Sequence, residues 1–225
     1  MADRTLIPPT ACAVHAAALV AGVGAGDRGN ASSDGGGVTA VIGAGTLGLL
    51  TVAALRARPD PIAPLVVAKH PVQRRLAQAL GADRVTTSGE LPRAVRAATG
   101  SFMVGDQLTG GAACVVDCVG SDTSLAQALS VVAPGGRIVL VGMPGLTSLD
   151  LTPLWHREST IQGSYAYTAE DFVAAIDLVR SADLGRLVSA TYPLARYTDA
   201  IEHAAAAGRR GAVKIAFDLR EEKHR

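Results

Sequence analysis

The sequence contains few aromatic residues and has almost no net charge. Phenylalanine, tryptophan and tyrosine make up 4% of its 225 residues, which is too few for the stacking surfaces that bind single-stranded nucleic acid. Its 21 lysines and arginines nearly balance its 20 aspartates and glutamates, so no basic field favours nucleic acid or an anionic membrane. We therefore expect neither nucleic acid nor a membrane among its partners. The apolar fraction of 48% predicts a chain that buries a substantial core.

Cysteine is also scarce. The three cysteines, Cys12, Cys114 and Cys118, are too few and odd in number for a disulfide framework. Cys114 and Cys118 lie four positions apart, but no second pair of ligands completes a zinc site. We expect buried, reduced thiols and no metal site in this chain. A reducing compartment fits these thiols, which favours a cytoplasmic location.

No hydrophobic run is long enough to span a bilayer. Residues 11–26 are apolar but interrupted by glycine, and Asp3 and Arg4 nearly cancel the charge ahead of them, unlike the start of a signal peptide. This stretch instead predicts a buried helix over residues 11–20.

Residues 22–37 hold seven glycines in sixteen positions, which predicts a flexible loop. Its second half, residues 30–37, lengthens the approach to the first strand.

The most informative segment is residues 38–50, VTAVIGAGTLGLL. An apolar run is followed by three glycines in the pattern GxGxxG, and the last glycine opens an apolar helical pattern. This order of strand, turn and helix is typical of a dinucleotide-binding βαβ unit. An ordinary tight turn between a strand and a helix is the alternative.

Each residue of this turn has a predicted role. Gly43 would allow the chain to turn sharply, Gly45 would let a pyrophosphate approach the backbone, and Gly48 would let the helix pack closely on the strand. The first amides of the helix, those of Thr46 and Leu47, would bind the phosphates, because they lack partners within the helix.

Apolar runs and helical patterns alternate along the chain. Strands are predicted at residues 38–42, 64–68, 84–86, 113–118, 137–141, 160–164 and 212–217. Helices are predicted at residues 46–55, 72–80, 91–98, 125–132, 169–180 and 197–207, with a glycine-rich loop at 100–111 and a turn at 133–136. Because the strands read as continuous apolar runs, both faces of the sheet should be covered. The pattern predicts an α/β fold, a doubly wound parallel sheet with right-handed crossovers.

Six segments carry motifs that occur together in one family. They are PTACAVHAA (9–17), VIGAGTLGLL (41–50), RRLAQALGAD (74–83), VVDCVGS (115–121), APGGRIVLVGMPG (133–145) and GAVKIAFD (211–218). In this order they resemble the medium-chain dehydrogenase/reductases, in particular the zinc-type alcohol, polyol and threonine dehydrogenases. The resemblance covers nearly the whole chain. It implies a Rossmann fold and an oxidoreductase that transfers a hydride between NAD(P) and a small alcohol or carbonyl substrate.

The resemblance also implies a cofactor site at the carboxyl ends of the strands. The pyrophosphate would lie at Gly43, Gly45, Thr46, Leu47 and Gly48, close to a basic position matched by Lys214. The cleft would be lined by Cys118, Val119 and Gly120, and on its nicotinamide side by Val141, Gly142 and Met143. The carboxamide would meet the backbone of Ser164, Tyr165 and Ala166. In the family this last segment often pairs two subunits, so residues 160–166 are a candidate homodimer contact. For Lys214, a solvated lysine at a sheet edge is an equal alternative.

The choice between NAD and NADP depends on the end of the second strand. NAD-binding proteins place an aspartate or glutamate there to accept a hydrogen bond from the ribose 2′-hydroxyl. Counting along the family pattern puts this position at Ala68, followed by Lys69 and His70. A small residue followed by basic ones leaves room and charge for a 2′-phosphate. The sequence therefore favours NADP(H) over NAD(H), unless Lys69 and His70 are merely exposed residues before a helix.

The family's zinc ligands are not found in this sequence. In the family they belong to an N-terminal GroES-like domain, and the resemblance places this chain after that domain. The last family ligand, a glutamate, aligns with Pro8. The scattered histidines His15, His156 and His203 form no ligand set, because a catalytic zinc needs about three protein ligands.

Without zinc, a side chain would have to polarise the substrate or take its proton. Tyr165, Tyr167 and His156 are the polar groups expected near the cleft, and none is assigned a catalytic role.

Three interpretations remain open. The first is a dehydrogenase of this family in a truncated form that keeps the cofactor domain. The second is a non-catalytic NADP(H)-binding module, and the third is a half-enzyme that needs a partner chain. We expect a lead-in helix and loop at residues 1–37, the dinucleotide-binding domain at 38–150, and a C-terminal segment at 151–225. That segment would complete the sheet and return toward a mostly missing second domain.

Overall fold

Parallel strands dominate the computed structural model, which describes residues 2–20, 37–105, 107–143 and 145–219. Its strands are β1 (Thr39–Ile42), β2 (Leu65–Val67), β3 (Arg84–Thr86), β4 (Met103–Val104), β5 (Gln107–Leu108), β6 (Ala112–Asp117), β7 (Val132–Leu140), β8 (Thr160–Gly163), β9 (Val188–Pro193) and β10 (Lys214–Asp218). Six of them form one parallel sheet in the order β3, β2, β1, β6, β7, β8. The predicted doubly wound parallel sheet is confirmed.

Helices connect the strands and cover both faces of the sheet. They are α1 (Ile7–Val20), α2 (Thr46–Arg56), α3 (Pro71–Ala79), α4 (Leu91–Thr99), α5 (Asp122–Val131), α6 (Thr152–His156), α7 (Ala169–Ser181) and α8 (Tyr197–Ala205). Successive strand side chains point to opposite faces, so Val41 and Val116 pack in one buried cluster with α1, α2 and α7. Ile42 and Val115 pack in a second cluster with α4 and α5. This two-sided burial explains the continuous apolar runs.

The predicted elements are found, with shifted ends at several of them. The helix predicted at residues 11–20 begins earlier, at Ile7, because Pro8 and Pro9 fit the first turn, where a missing N–H group costs nothing. The turn predicted at residues 133–136 lies inside β7, where the register against β6 shifts. The loop predicted at 100–111 contains the short hairpin of β4 and β5. The loop predicted at 22–37 lies outside the described residues, apart from Gly37.

The C-terminal part of the chain contributes to two sheets. The strand β8 completes the main sheet at its edge, whereas β10 pairs in parallel with β9 in a separate two-stranded sheet. The sequence did not predict β9. None of the helices in the described ranges combines the length and the apolar composition that crossing a membrane requires.

Candidate functional site

The winding of the sheet reverses between β1 and β6. From β1 the chain passes through α2 to β2 on one side, and from β6 it passes through α5 to β7 on the other. In open α/β sheets the ligand crevice lies at this point, outside the carboxyl ends of the strands. The glycine turn follows β1 directly and residues 118–120 follow β6, so both predicted segments lie at the crevice.

The three glycines of the turn have different surroundings. Gly43 has a φ of +96°, in the left-handed region that favours glycine. A Cβ atom at Gly48 would overlap the carbonyl oxygen of Gly43 and lie 2.8 Å from its carbonyl carbon, so the helix packs closely here only with glycine. A Cβ atom at Gly45 would meet nothing within 4 Å. The space beside Gly45 is therefore open to a ligand.

The N-terminus of α2 lies directly behind this open space. The amide of Leu49 donates to the carbonyl oxygen of Gly45 at 3.0 Å, which is the first bond of the helix. The amides of Thr46 and Leu47 precede it, so by helix geometry they have no partner within α2. Free amides and the helix dipole together favour an anion at this point. The Thr46 hydroxyl itself donates to the carbonyl oxygen of Val213 at 3.3 Å.

One buried carboxylate, that of Asp117, organises the opposite wall of the crevice. Its Oδ1 accepts from the amides of Val119 at 2.8 Å and Gly120 at 3.1 Å, and its Oδ2 accepts from the Ser124 hydroxyl at 2.8 Å. The carbonyl oxygen of Asp117 accepts from the amide of Gly142 at 2.9 Å. Asp117 thus fixes both turns that follow β6 and β7. Sequence reasoning missed it, although an acid at the end of an apolar strand is a usable signal.

The two turns fit closely and leave apolar side chains exposed. A Cβ atom at Gly120 would lie 2.6 Å from the carbonyl oxygen of Gly142, so these turns approach each other through glycine. Val119 is 49% exposed and Met143 is 92% exposed, whereas Val141 is half-buried against the core. Exposed apolar groups beside a polar turn are suited to the flat face of an aromatic ring.

Cys118 lies at the same wall, but its thiol packs away from solvent. The Sγ atom is 3.8 Å from the Thr51 hydroxyl of α2. Burial raises the pKa of the Cys118 thiol to about 12, so it stays protonated and is not a nucleophile. The thiol of Cys114 has the same pKa for the same reason. The predicted buried thiols are confirmed for Cys114, and Cys12, Cys114 and Cys118 are all free cysteines.

The end of β2 carries the residues predicted to distinguish NADP from NAD. Ala68 is buried, Lys69 is exposed, and His70 precedes the first residue of α3. The guanidinium Nε of Arg74 donates to the carbonyl oxygen of Ala68 at 3.1 Å. This brings a second cation to the position where an NAD-binding protein has a carboxylate. Sequence reasoning missed Arg74, although its place near the start of α3, the helix that follows β2, could have indicated it.

Of the remaining predicted residues, those after β8 lie further from the glycine turn, whereas Lys214 lies close to it. Ser164 follows β8 and its amide donates to the carbonyl oxygen of Leu140 at 2.9 Å. Tyr165 is 93% exposed, and Ala166 has a φ of +55°, which is unusual for a residue with a side chain. Lys214 begins β10 directly after Val213, the residue that accepts the Thr46 hydrogen bond.

The histidines and the predicted polar groups do not converge. His15 bonds the carboxylate of Asp171 at 2.9 Å, and His203 bonds the Tyr192 hydroxyl at 2.9 Å. His156 is exposed at the end of α6, and the ring of Tyr167 lies 5.7 Å from that of Phe172. Within the described ranges, no three histidine, cysteine, aspartate or glutamate side chains come together to hold a metal. These residues do not fit a catalytic zinc, which needs about three protein ligands.

The structure therefore brings most of the predicted residues to one edge of the sheet. The glycine turn, the turns after β6 and β7, and the end of β2 share the carboxyl edge of neighbouring strands. The segment after β8 lies two strands beyond β6 along this edge. Such an edge offers an anion site, an apolar wall and a basic end, which together suit a phosphorylated, elongated ligand with an aromatic ring.

Three known proteins are similar to this chain in sequence or in fold. A protein of Rhizobium meliloti (strain 1021) provisionally named D-xylulose reductase is 30% identical in an alignment of 224 positions, which covers 97% of this chain and 58% of that protein. A zinc-binding dehydrogenase, provisionally so assigned, from Sinorhizobium meliloti 1021 and bound to NADP has a TM-score of 0.72 at 24% identity, over 96% of this chain and 59% of that one. A short chain alcohol dehydrogenase from E. coli CFT073, complexed with NADH, has a TM-score of 0.69 at 20% identity, over 93% and 57%.

These comparisons define the family and the extent of the match. The two structural similarities show a common fold, and this chain spans less than two thirds of the length of each of the three proteins. The profile of the family described as zinc-binding dehydrogenase matches residues 46–181, which is more than half of the chain. This range includes the start of α2 and both turns that follow β6 and β7. The chain therefore belongs to the zinc-binding dehydrogenase family.

Proposed function

We propose that this chain is the nicotinamide-dinucleotide-binding part of an oxidoreductase and that it binds NADP(H) in preference to NAD(H). The observation that carries the proposal is the turn at residues 43–48. It places a left-handed glycine, an open space at Gly45 and the N-terminus of α2 at the crevice between β1 and β6. The dinucleotide fits this cradle, because a side chain at Gly45 would occupy the space that a pyrophosphate needs.

The dinucleotide would extend along the carboxyl edge in both directions from this turn. The pyrophosphate would accept hydrogen bonds from the amides of Thr46 and Leu47, with Lys214 nearby. The nicotinamide ring would lie against Val119 and Met143. The other residues proposed to line this half are Cys118, Gly120, Val141, Gly142, Ser164, Tyr165 and Ala166, the last three through their backbone.

The adenosine half would lie toward β2. Ala68 has no carboxylate to accept a hydrogen bond from a ribose 2′-hydroxyl, and the guanidinium of Arg74 is held against its carbonyl oxygen. Lys69 and His70 add basic groups at the same end. A 2′-phosphate would meet cations here, whereas an NAD-binding site needs an acceptor. This charge distribution supports the preference for NADP(H).

The activity proposed for the whole protein is reversible hydride transfer between an alcohol and a carbonyl compound. The bound cofactor supplies the hydride or accepts it, and the residues of this chain hold and orient its two halves. Residues 38–150 would form the binding domain, preceded by a lead-in segment at 1–37. The segment at 151–225 would complete the sheet and contribute to a further domain. No role is assigned to a metal, because the described residues do not form its ligand set.

A second candidate function is binding without catalysis by this chain alone. It is favoured by the hydrogen bonds of His15 and His203, which go to Asp171 and Tyr192 and not to the predicted residues of the crevice. The chain would then act as an NADP(H)-binding module or as a half-enzyme that needs a partner chain. Turnover of simple alcohols and aldehydes by the purified chain distinguishes the dehydrogenase from these alternatives.

The experiment that tests the proposal is a fluorescence titration with NADPH and NADH, with and without zinc. We expect saturable binding of NADPH that does not depend on zinc and is weaker for NADH. The variant Gly45→Val should lose this binding, because its side chain fills the open space beside the turn. Its thermal unfolding temperature is the control for folding. Absence of binding by the parent chain, or equal affinity of a folded Gly45→Val variant, would overturn the proposal.

Two further properties are part of the proposal. A homodimer could form through residues 160–166, because β8 is the last strand of the main sheet and an open edge can pair with a second copy. Light scattering should then give a dimer mass for the parent and a monomer mass for Ile161→Lys; a monomeric parent would rule out this contact. A cytoplasmic location is proposed because the cysteines are free thiols.

A further inference from the structure

The loop between α8 and β10 carries an unusual concentration of positive charge. Residues 208–214, with the sequence GRRGAVK, contain Arg209, Arg210 and Lys214 and no acidic residue. Arg209 and Arg210 are both exposed. We call residues 208–214 the basic segment. Its place against the rest of the molecule decides what these charges can bind.

One end of the basic segment packs against His70, which lies between β2 and α3. A Cβ atom at Gly208 would overlap the imidazole ring of His70, so the backbone approaches this ring as closely as glycine permits. Hydrogen bonds within the loop fix its shape: the amide of Arg210 donates to the carbonyl oxygen of Ala206 at 3.0 Å, and the amide of Ala212 to that of Ala207 at 2.7 Å. The arginines therefore follow directly after a fixed contact with the end of β2.

The other end of the basic segment is tied to the glycine turn. The Thr46 hydroxyl, in the first turn of α2, donates to the carbonyl oxygen of Val213 at 3.3 Å. The six residues 208–213 thus extend from the contact of Gly208 with His70, near the end of β2, to the hydrogen bond of Val213 with Thr46, at the start of α2. The segment runs along the carboxyl edge of the sheet beside the proposed adenosine half of the site.

We propose that Arg209 and Arg210 are specificity-determining residues that bind the 2′-phosphate of NADP(H), together with Arg74. This inference rests on the proposed function. The pyrophosphate belongs at the end of the segment near Thr46 and Lys214, whereas a 2′-phosphate belongs at the end of β2. The arginines adjoin Gly208, which is the end in contact with His70. Guanidinium groups bind phosphate through paired hydrogen bonds, so arginine suits this position better than lysine.

The matched test compares two double variants of the full chain. The first, Arg209→Gln with Arg210→Gln, removes both charges of the basic segment. The control, Arg56→Gln with Arg96→Gln, removes two exposed arginines in the last turns of α2 and α4. Both of these helices lie between parallel strands of the main sheet, so their last turns lie at the opposite, amino edge of that sheet. The two variants have the same net charge and differ only in where the charge is lost.

The readout is the dissociation constant for NADPH and for NADH at one fixed salt concentration. The first variant should bind NADPH at least about tenfold more weakly than the control, because it loses the charge-assisted hydrogen bonds from two guanidinium groups to the 2′-phosphate. Its affinity for NADH should stay within about twofold of the control, since NADH has no 2′-phosphate to contact. Adenosine 2′,5′-bisphosphate, used as a competitor, should lose affinity in the same way.

The outcomes separate this inference from the proposed function. Equal NADPH affinity of the two variants would overturn the inference and leave the proposed function standing. Equal losses for NADPH and NADH in the first variant would also overturn it, because the arginines would then bind a part that both cofactors share. A parent chain that binds neither cofactor would overturn the proposed function itself.

Discussion

The contact between Gly48 and Gly43 predicts a large loss of stability in Gly48→Ala. The added Cβ atom would overlap the Gly43 carbonyl oxygen and lie 2.8 Å from its carbonyl carbon. The colliding group is backbone, so the start of α2 must move, and overpacking of this kind costs about 3 kcal/mol at the upper end of its usual range. Replacing glycine by alanine in a helix returns about 1 kcal/mol. The expected net loss is about 2 kcal/mol, or about 4–8 °C in the unfolding temperature of a chain of this size.

Gly45→Ser is the matched control for this prediction. Gly45 lies three positions earlier, has extended backbone angles as the N-cap of α2 and has open space beside it. Serine is a preferred N-cap residue, so the unfolding free energy should stay within about 0.5 kcal/mol of the parent. Urea unfolding of the three proteins measures both values. The reasoning is refuted if Gly48→Ala is as stable as the parent, or if Gly45→Ser loses as much stability as Gly48→Ala.

Three further changes test other parts of the site and the fold. Asp117→Asn should lower the unfolding free energy by about 2–3 kcal/mol, because one amide oxygen cannot replace both carboxylate oxygens for their buried donors; an unchanged urea midpoint would contradict this. Ala68→Asp should shift the ratio of the dissociation constants toward NADH by about tenfold or more, because the carboxylate accepts from a 2′-hydroxyl and repels a 2′-phosphate; a ratio that does not move would contradict the position assigned to the ribose. Burial alone would raise the pKa of Asp171, but hydrogen bonds from Thr168 and His15 hold it below its ordinary value. Its stabilisation is therefore present above the ordinary pKa and lost as the pH falls through the lowered one, so Asp171→Asn should flatten the fall in thermal unfolding temperature that the parent shows as the pH drops below the ordinary aspartate pKa.

The sequence predicted the parts of the fold that local patterns determine. Apolar runs bounded by glycine predicted the strands of the main sheet, and the GxGxxG pattern predicted the turn before α2. Each of these signals is contained within a few consecutive residues, so it can be recognised without the tertiary contacts. The shift of register that turns residues 133–136 into a bulge was not predictable, since it depends on how β7 pairs with β6. The strand β9 was missed because its residues are only partly buried, so they lack the continuous apolar run that marks the central strands.

The candidate site was predictable where one segment forms it and not where distant segments meet. The roles of Arg74 and Asp117 depend on side-chain hydrogen bonds, and those of residues 208–214 depend on contacts with His70 and Thr46, more than a hundred positions away. Sequence reasoning placed Lys214 near the pyrophosphate by resemblance alone. The hydrogen bond from Thr46 to Val213 supplies a physical reason for that position, because it ties the start of β10 to the start of α2.

Residues needed for the fold and residues available to a ligand alternate within this site. Gly43 and Gly48 are required by a left-handed φ and by a backbone contact, so their loss would damage the structure whether or not a cofactor binds. Gly45 lies between them and contacts nothing that a side chain would disturb. Asp117 is buried beneath the turns that follow β6 and β7, whereas Arg209 and Arg210 are exposed. A substitution at Gly45, Arg209 or Arg210 that weakens cofactor binding therefore identifies a ligand contact, because the fold does not depend on these side chains. At Gly43, Gly48 or Asp117 the same loss of binding could come from damage to the structure.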